Sequence, residues 1–417
     1  MNFGREAEST GYDPSAPARA RSATGMEAAK PAAGLSRGVI LLFALACGLS
    51  VANIYFAHPL LDAMAHDFGI SPASIGIVVT ATQIGYGLGL FFIVPLGDRI
   101  DRRRLIVGQG IASTAALVVV GFAPTGAVLL GGIFVVGLLA VVVQVLVAFA
   151  ATFAAPEERG AVVGSVTSGV VLGILLARFV AGVLADLGGW RSVYLTSAAL
   201  TLAMAGLLYR VLPHYENGDA GRSYLELLKS VVGLFRDLPL LRVRAVLALL
   251  IFAAFNVLWA PMVLPLSAPP FSLSHTEVGL FGLAGAAGTF GAGRAGRLAD
   301  RGLGQWTTGL SLALMLVSWI PIAMLGTSLW ALIIGVLLLD FAIQAVHVTN
   351  QSMIFAVKPE ARSRLVGGYM IFYSIGSATG SIASTTVYAW AGWSGVCALG
   401  ATICAIALLF WAATRHV

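Results

Sequence analysis

The chain has 417 residues, of which 58% are hydrophobic and only 11% are Asp, Glu, Lys or Arg. A soluble domain carries about 25% charged residues because its surface faces water, so much of this chain must face something else. The net charge of +6 invites a nucleic-acid partner, but where the charges fall excludes one.

Residues 1–34 are rich in Ala, Pro, Ser, Gly and Arg and lack apolar periodicity. They cannot bury enough surface to offset the entropy of ordering and are expected to form a disordered cytoplasmic tail. Twelve apolar runs follow, at 38–60, 74–97, 104–123, 126–151, 160–185, 192–212, 243–266, 276–299, 306–325, 328–355, 363–390 and 394–414. Each approaches or exceeds the roughly 20 residues that a helix needs to cross a bilayer. The fold class is therefore an all-α polytopic membrane protein with twelve transmembrane helices.

The basic residues sort by side. Arg99 and Arg102–Arg104 lie between spans 2 and 3, Arg159 follows span 4, and Arg210, Arg222, Lys229, Arg236, Arg242 and Arg244 lie between spans 6 and 7. Arg301 follows span 8, and Lys358, Arg362 and Arg364 follow span 10, all on the side of the tail. Arg191 alone faces the other way, and Arg178 lies within span 5. The positive-inside rule then puts both termini in the cytoplasm. The basic charge is a record of topology, and no nucleic acid is implied. Cys47, Cys397 and Cys404 lie inside spans and read as small apolar filler, with neither a disulfide nor a metal implied.

The chain repeats itself. A shift of 203 residues superposes Asn53 on Asn256, Ser71 on Ser274, Gly76 on Gly279, Pro156 on Pro359, Gly173 on Gly376, and Gly189-Trp190 on Gly392-Trp393. Six spans therefore recur as six spans in the same topology, over 35–212 and 243–417, a design that places the substrate site between the halves. The linker, 213–242, begins polar. Ser223-x-x-Glu226 then reads as a capping box, and Leu225, Leu228, Val232 and Phe235 mark one face of a short interfacial helix.

Between spans 2 and 3 the chain reads Pro95-Leu-Gly-Asp98-Arg99-Ile-Asp101-Arg102-Arg103-Arg104, and after span 8 Gly296-Arg-Leu-Ala-Asp300-Arg301. Together with the repeat, these turns resemble the major facilitator superfamily over residues 35–415. Its turn signature is matched at Leu96, Asp98, Arg99, Arg102 and Arg103, and again at Gly296, Leu298, Ala299, Asp300 and Arg301. The resemblance implies a transporter that rocks two six-helix halves, with Asp98, Arg99, Arg102, Arg103, Asp300 and Arg301 as a cytoplasmic gate. Span 5 is similar to that of the drug/proton antiporter branch at Gly164, Gly173, Ala177, Ala181 and Gly182, although Arg178 stands where that branch has proline. Independently of any family, Ser165, Gly169, Gly173, Ala177, Ala181 and Ala185 recur every four residues and make a groove for close helix contact.

The candidates for chemistry lie in span 10. Steps of four, three and four put Asp340, Gln344, His347 and Gln351 on one helix face, with Asn350 beside them. A carboxylate within a span costs about 2.5–3.5 kcal/mol on the insertion scale, so it faces the bundle interior or a wet cavity. Counted from Leu329, Asp340 is roughly 18 Å deep and His347 about 10 Å nearer the cytoplasm. An acid and an imidazole on one stripe suit a proton relay, and a hydrogen-bonded pair between helices is the structural alternative. In the resembled fold spans 1, 4, 7 and 10 line the cavity. Asn53, Tyr55, Gln144, Asn256 and Trp259 would then project into it, with Gln83 and Tyr86 from span 2 and with Phe56 and Phe255 completing an apolar, aromatic lining. Arg178 lies about 27 Å along span 5 and can bind an anionic group, pair with Asp340 or snorkel; its depth fits a direct contact with Asp340 poorly.

Gly291-x-Gly293-x-x-Gly296 matches a dinucleotide fingerprint but lies in a membrane helix with no strand before it. No catalytic constellation, P-loop or metal motif is present, so neither an enzyme nor an ATP-driven pump is indicated. The expected function is secondary active transport of a small organic molecule by a monomer in the bacterial cytoplasmic membrane. Export is expected to be driven by protons, with Asp340 and His347 as coupling residues and no cofactor beyond the proton gradient. Proton-linked uptake of a nutrient or metabolite is the alternative, and a membrane receptor or embedded enzyme the remote one.

Overall fold

The computed structural model describes residues 36–154, 158–213, 223–284, 298–358 and 362–416. The expected tail, the first part of the linker, Pro156, Pro359 and the glycine-rich triplet at 291–296 lie outside these residues. The described chain is helical throughout, without a strand, as lipid requires of a backbone that must satisfy its own hydrogen bonds.

Among the described residues, ten helices are long and apolar enough to cross a membrane. The last, Arg364–Thr414, is 51 residues long and at about 1.5 Å per residue far exceeds one crossing of about 30 Å. It is spans 11 and 12 joined at Gly392, whose φ of 62° breaks the helix. Span 8 is described in its first part, His275–Ala284. The fold is thus the twelve-helix arrangement of two related six-helix bundles.

Local chemistry sets the helix ends. Ser36, Thr125 and Ser328 accept hydrogen bonds from the amides of Val39, Val128 and Ala331, so spans 1, 4 and 10 each begin on a hydroxyl cap. Gly189, between spans 5 and 6, has φ 76°, as its repeat mate Gly392 has φ 62°. The tryptophan after each glycine pins its turn: Trp190 donates to Asp67 (2.7 Å) and Trp393 to the Ile322 carbonyl (3.0 Å).

The basic face, which carries the Asp101–Arg104 turn, also receives the linker helix Tyr224–Asp237. Its capping box is formed, with Glu226 accepting from the Ser223 amide at 3.0 Å. The packed stripe differs from the expected one. Leu227, Val231 and Leu234 are buried, whereas Leu225 and Val232 are exposed. Apolar residues span about half of this helix's circumference, and with Tyr224 donating to the Phe92 carbonyl at the end of span 2 the 227/231/234 edge of that arc faces inward. Arg244, counted among the cations between spans 6 and 7, is buried inside span 7, because that helix already starts at Pro239.

At the opposite face the halves are tied together. Span 2 meets span 11, with Thr80 donating to the Ala378 carbonyl (2.8 Å) and Thr385 to that of Ala73 (3.2 Å). Span 5 meets span 8, where Gly279 lies so close that a Cβ on it would stand 2.5 Å from the Arg178 carbonyl oxygen. Asp186, at the end of span 5, caps span 8 from the other half. It accepts from the amides of His275 (3.2 Å) and Thr276 (2.8 Å) and from the Thr276 hydroxyl (2.5 Å). The His275 ring lies between two carboxylates of the first half, Nδ1 at 3.0 Å from Asp186 and Nε2 at 3.2 Å from Asp62.

The hydrogen bond to Asp62 lifts the His275 pKa above its ordinary value, with both carboxylates' charges adding to it and partial burial opposing. A raised folded pKa means that the stabilisation is complete below the ordinary histidine value of about 6.5 and is lost as pH climbs through the raised one. Thermal stability in detergent should therefore fall as pH rises above the ordinary histidine value of about 6.5, and His275→Gln should flatten that dependence. An identical slope in the variant would remove His275 from the latch.

Candidate transport site

Three side chains from three spans meet in the interior. Trp259, near the end of span 7, donates from Nε1 to Asp340 Oδ1 of span 10 at 3.2 Å. Arg178 of span 5 lays its guanidinium over the same indole, 3.8 Å from the ring centroid, with the Tyr55 ring at 5.1 Å and Phe255 at 5.4 Å. Arg178 is 3% exposed and Asp340 6%. Their charges attract across Trp259, and Arg178 Nε and Nη2 are buried without a hydrogen-bond partner.

Arg178 and Asp340 make no direct hydrogen bond, as the depths counted from sequence suggested, but they lie at closer depths than that count gave. Span 5 continues to Gly188, so Arg178 lies ten residues, about 15 Å, from the opposite face. Asp340 lies eleven residues past Leu329, or about 17 Å from the same face. Placing the end of span 5 at 185, and counting the two residues from different faces, hid the match.

A polar shell surrounds this centre and crosses between the halves. The Tyr55 and Tyr373 hydroxyls are 2.6 Å apart. His58, in the turn after span 1, reaches Asn256 Oδ1 at 3.3 Å and the Tyr55 carbonyl at 3.2 Å. Tyr86 packs edge-on against Tyr373 and meets Gln144 of span 4. The repeat mates Asn53 and Asn256 differ, since Asn53 turns into its own half to accept from Ser197 at 2.7 Å. Phe56 likewise packs on Tyr194 within the first half. Gln83 is buried with both amide atoms unpartnered and lines a largely apolar cavity of about 910 Å³ between spans 2 and 11 and the linker helix.

Sequence comparison accords with this architecture. The family description "Major Facilitator Superfamily" matches residues 41–354 and 245–417. The chain belongs to the Major Facilitator Superfamily. It is a multi-pass membrane transporter of a small-molecule substrate and not an enzyme. It is 47% identical over 382 residues, 92% of this chain and 97% of the relative, to "Uncharacterized transporter YgaY" of Escherichia coli O157:H7. A more distant relative, "Purine ribonucleoside efflux pump NepI" of Salmonella paratyphi A, is 26% identical over 176 residues, 41% of this chain and 43% of that one. Among solved structures, a bacterial homologue of the human lysosomal transporter Spinster, inward-facing and unoccupied, superposes with a TM-score of 0.76 at 16% identity. The match covers 90% of this chain and 95% of that one.

Within this superfamily chain, the span 10 stripe divides into two clusters. Asp340 belongs to the centre just described. His347, one further group along, has Nδ1 3.0 Å from the Tyr369 hydroxyl and Nε2 3.3 Å from Gln351. Asn350 donates to the same hydroxyl (3.4 Å) and accepts from Arg244 (3.2 Å), which also reaches Thr308. A row of rings, Trp259, Phe255 and Phe252, separates the clusters, with Phe252 edge-on to His347 at 5.1 Å. Gln344 is half-buried between them.

The basic turn is braced by its own half. Arg102 donates to the Gly97 carbonyl (3.0 Å) and Thr152 (2.9 Å), and Arg103 reaches the Tyr209 carbonyl and lies 4.6 Å from its ring. Arg99 and Arg301 are exposed, and the Asp98 and Asp300 side chains lie outside the described set.

Sequence reading missed His58, Tyr373, Tyr369 and Arg244. His58 carried a usable signal, an imidazole five residues past a repeated asparagine in an apolar run. The tyrosines carried none, since their partners lie far off in sequence. Removing the acceptor of buried Arg244 with Asn350→Leu should lower stability by about 1–3 kcal/mol, the usual cost of stranding such a donor. Unchanged denaturation would show that the network is dispensable.

Proposed function

We propose that this transporter couples movement of a small organic molecule to protons through Asp340, and that it exports its substrate across the cytoplasmic membrane. The observation that carries the coupling is the Arg178–Trp259–Asp340 arrangement. A buried carboxylate of the second half answers to a buried cation of the first, so adding a proton to Asp340 weakens an attraction between the halves. Rocking and protonation are thereby linked through one contact. Similarity to the purine ribonucleoside efflux pump supports export. The basic residues gathered on one face support a cytoplasmic location for both termini. His347, hydrogen-bonded to Tyr369, serves as a second proton group on the way to that face. The protein works as a monomer and draws on the proton gradient alone.

Proton-linked uptake is the second reading, and Arg178 favours it. An organic anion drawn to Arg178 would take up the positive charge that faces Asp340. Proton and anion would then favour each other's binding and cross together.

In proteoliposomes with an imposed pH gradient, Asp340→Asn should insert normally yet lose roughly tenfold or more of gradient-driven flux, because its amide cannot carry the proton. The same variant should retain substrate exchange at equal pH. Full gradient-driven flux in Asp340→Asn would exclude it as the coupling group, and the sign of the wild-type flux decides between export and uptake.

A further inference from the structure

Arg178 is surrounded by aromatic faces and reaches no oxygen with Nε or Nη2. That is an unusual place to leave a guanidinium. Its five N–H donors are costly to bury unpaired, and rings cover the plane of the group but not its hydrogen-bonding edge. Among the described residues the other buried arginine, Arg244, reaches the oxygens of Thr308 and Asn350 with Nη1, both at 3.2 Å, and leaves only its Nε buried and unpartnered. Asp340 does not fill this role for Arg178, because its carboxylate takes the Trp259 N–H and faces the arginine across the indole. Among the described residues, His58 and the Tyr55, Tyr86 and Tyr373 hydroxyls are the other titratable groups around the centre, and none supplies a negative charge at neutral pH.

We propose that Arg178 is the head-group site for a small organic anion, a carboxylate, whose apolar body lies against Trp259, Phe255 and Tyr55. A carboxylate offers two oxygens at the spacing of the guanidinium fork, and the ring planes supply the apolar contact that an amphipathic acid needs. The proposal rests on reading the Arg178–Trp259–Asp340 centre as the transport site, and by the charge argument above a substrate anion there goes with the uptake reading rather than with export. It makes a definite choice among substrates: acids are taken and their neutral amides are refused.

The test uses the purified full chain in detergent and measures binding of benzoate, phenylacetate and octanoate, each beside its amide, by calorimetry. At least one acid should bind roughly tenfold or more tightly than its amide, the difference a charge-assisted bidentate contact provides. Arg178→Gln should erase that preference. Arg178→Lys, which keeps the charge without the fork, should retain part of it and serves if the glutamine variant fails to fold. Asp340→Asn, which removes the competing carboxylate, should bind acids at least as tightly as wild type. Amides binding as well as acids, no binding by any acid, or a preference that survives Arg178→Gln would each overturn the proposal. Binding in detergent needs no gradient. A protein that prefers acids but ignores a pH gradient therefore refutes the coupling reading alone, and the reverse result refutes the anion site alone.

Discussion

Everything in this transporter turns on two opposite charges that lie inside the membrane on different halves of the protein. On the insertion scale each charged residue at a span centre costs about 2.5–3.5 kcal/mol, so neither Arg178 nor Asp340 would persist there as incidental surface. Both meet a single indole. Trp259 holds the carboxylate by its N–H edge and the guanidinium by its face, so one side chain of span 7 reports on both.

The rest of the architecture keeps that contact in register. At the opposite face, small residues let spans 5 and 8 and spans 2 and 11 approach to backbone distance, and Asp186 caps a helix of the other half. His275 joins two carboxylates of the first half to the second at that same face. Toward the basic face, spans 2 and 11 instead border an apolar cavity that the linker helix helps to wall. Outside the centre, the described ties between the halves are thus gathered at the face opposite the basic one.

Much of the fold is legible in the sequence because lipid leaves few solutions. Apolar runs of span length must be helices, and Gly189-Trp190 and Gly392-Trp393 mark a repeated turn that only a positive φ explains. Asp340 is legible as a carboxylate in an apolar run. Its partners are not, since Tyr55 and Tyr373 are 318 positions apart and Trp259 reads as one aromatic among many. Depth counted along a helix misleads when the helix end is misplaced by three residues, as for Arg178, and amphipathicity misleads when the apolar arc is wide enough that either of its edges can be the packed one, as in the linker. Arg244 shows the same limit for charge: a residue counted as a loop cation is buried between spans because its helix starts earlier than hydropathy suggests.

The most direct measurement of the central claim is the distance between halves as a function of protonation. Spin labels at exposed Arg210 in the first half and exposed Trp306 in the second, in a chain with Cys47, Cys397 and Cys404 replaced, would report it by double electron–electron resonance. The account predicts that lowering the pH shifts the distribution in the parent protein and that Asp340→Asn holds the low-pH distribution at every pH. A variant that still shifts as the parent does would contradict it.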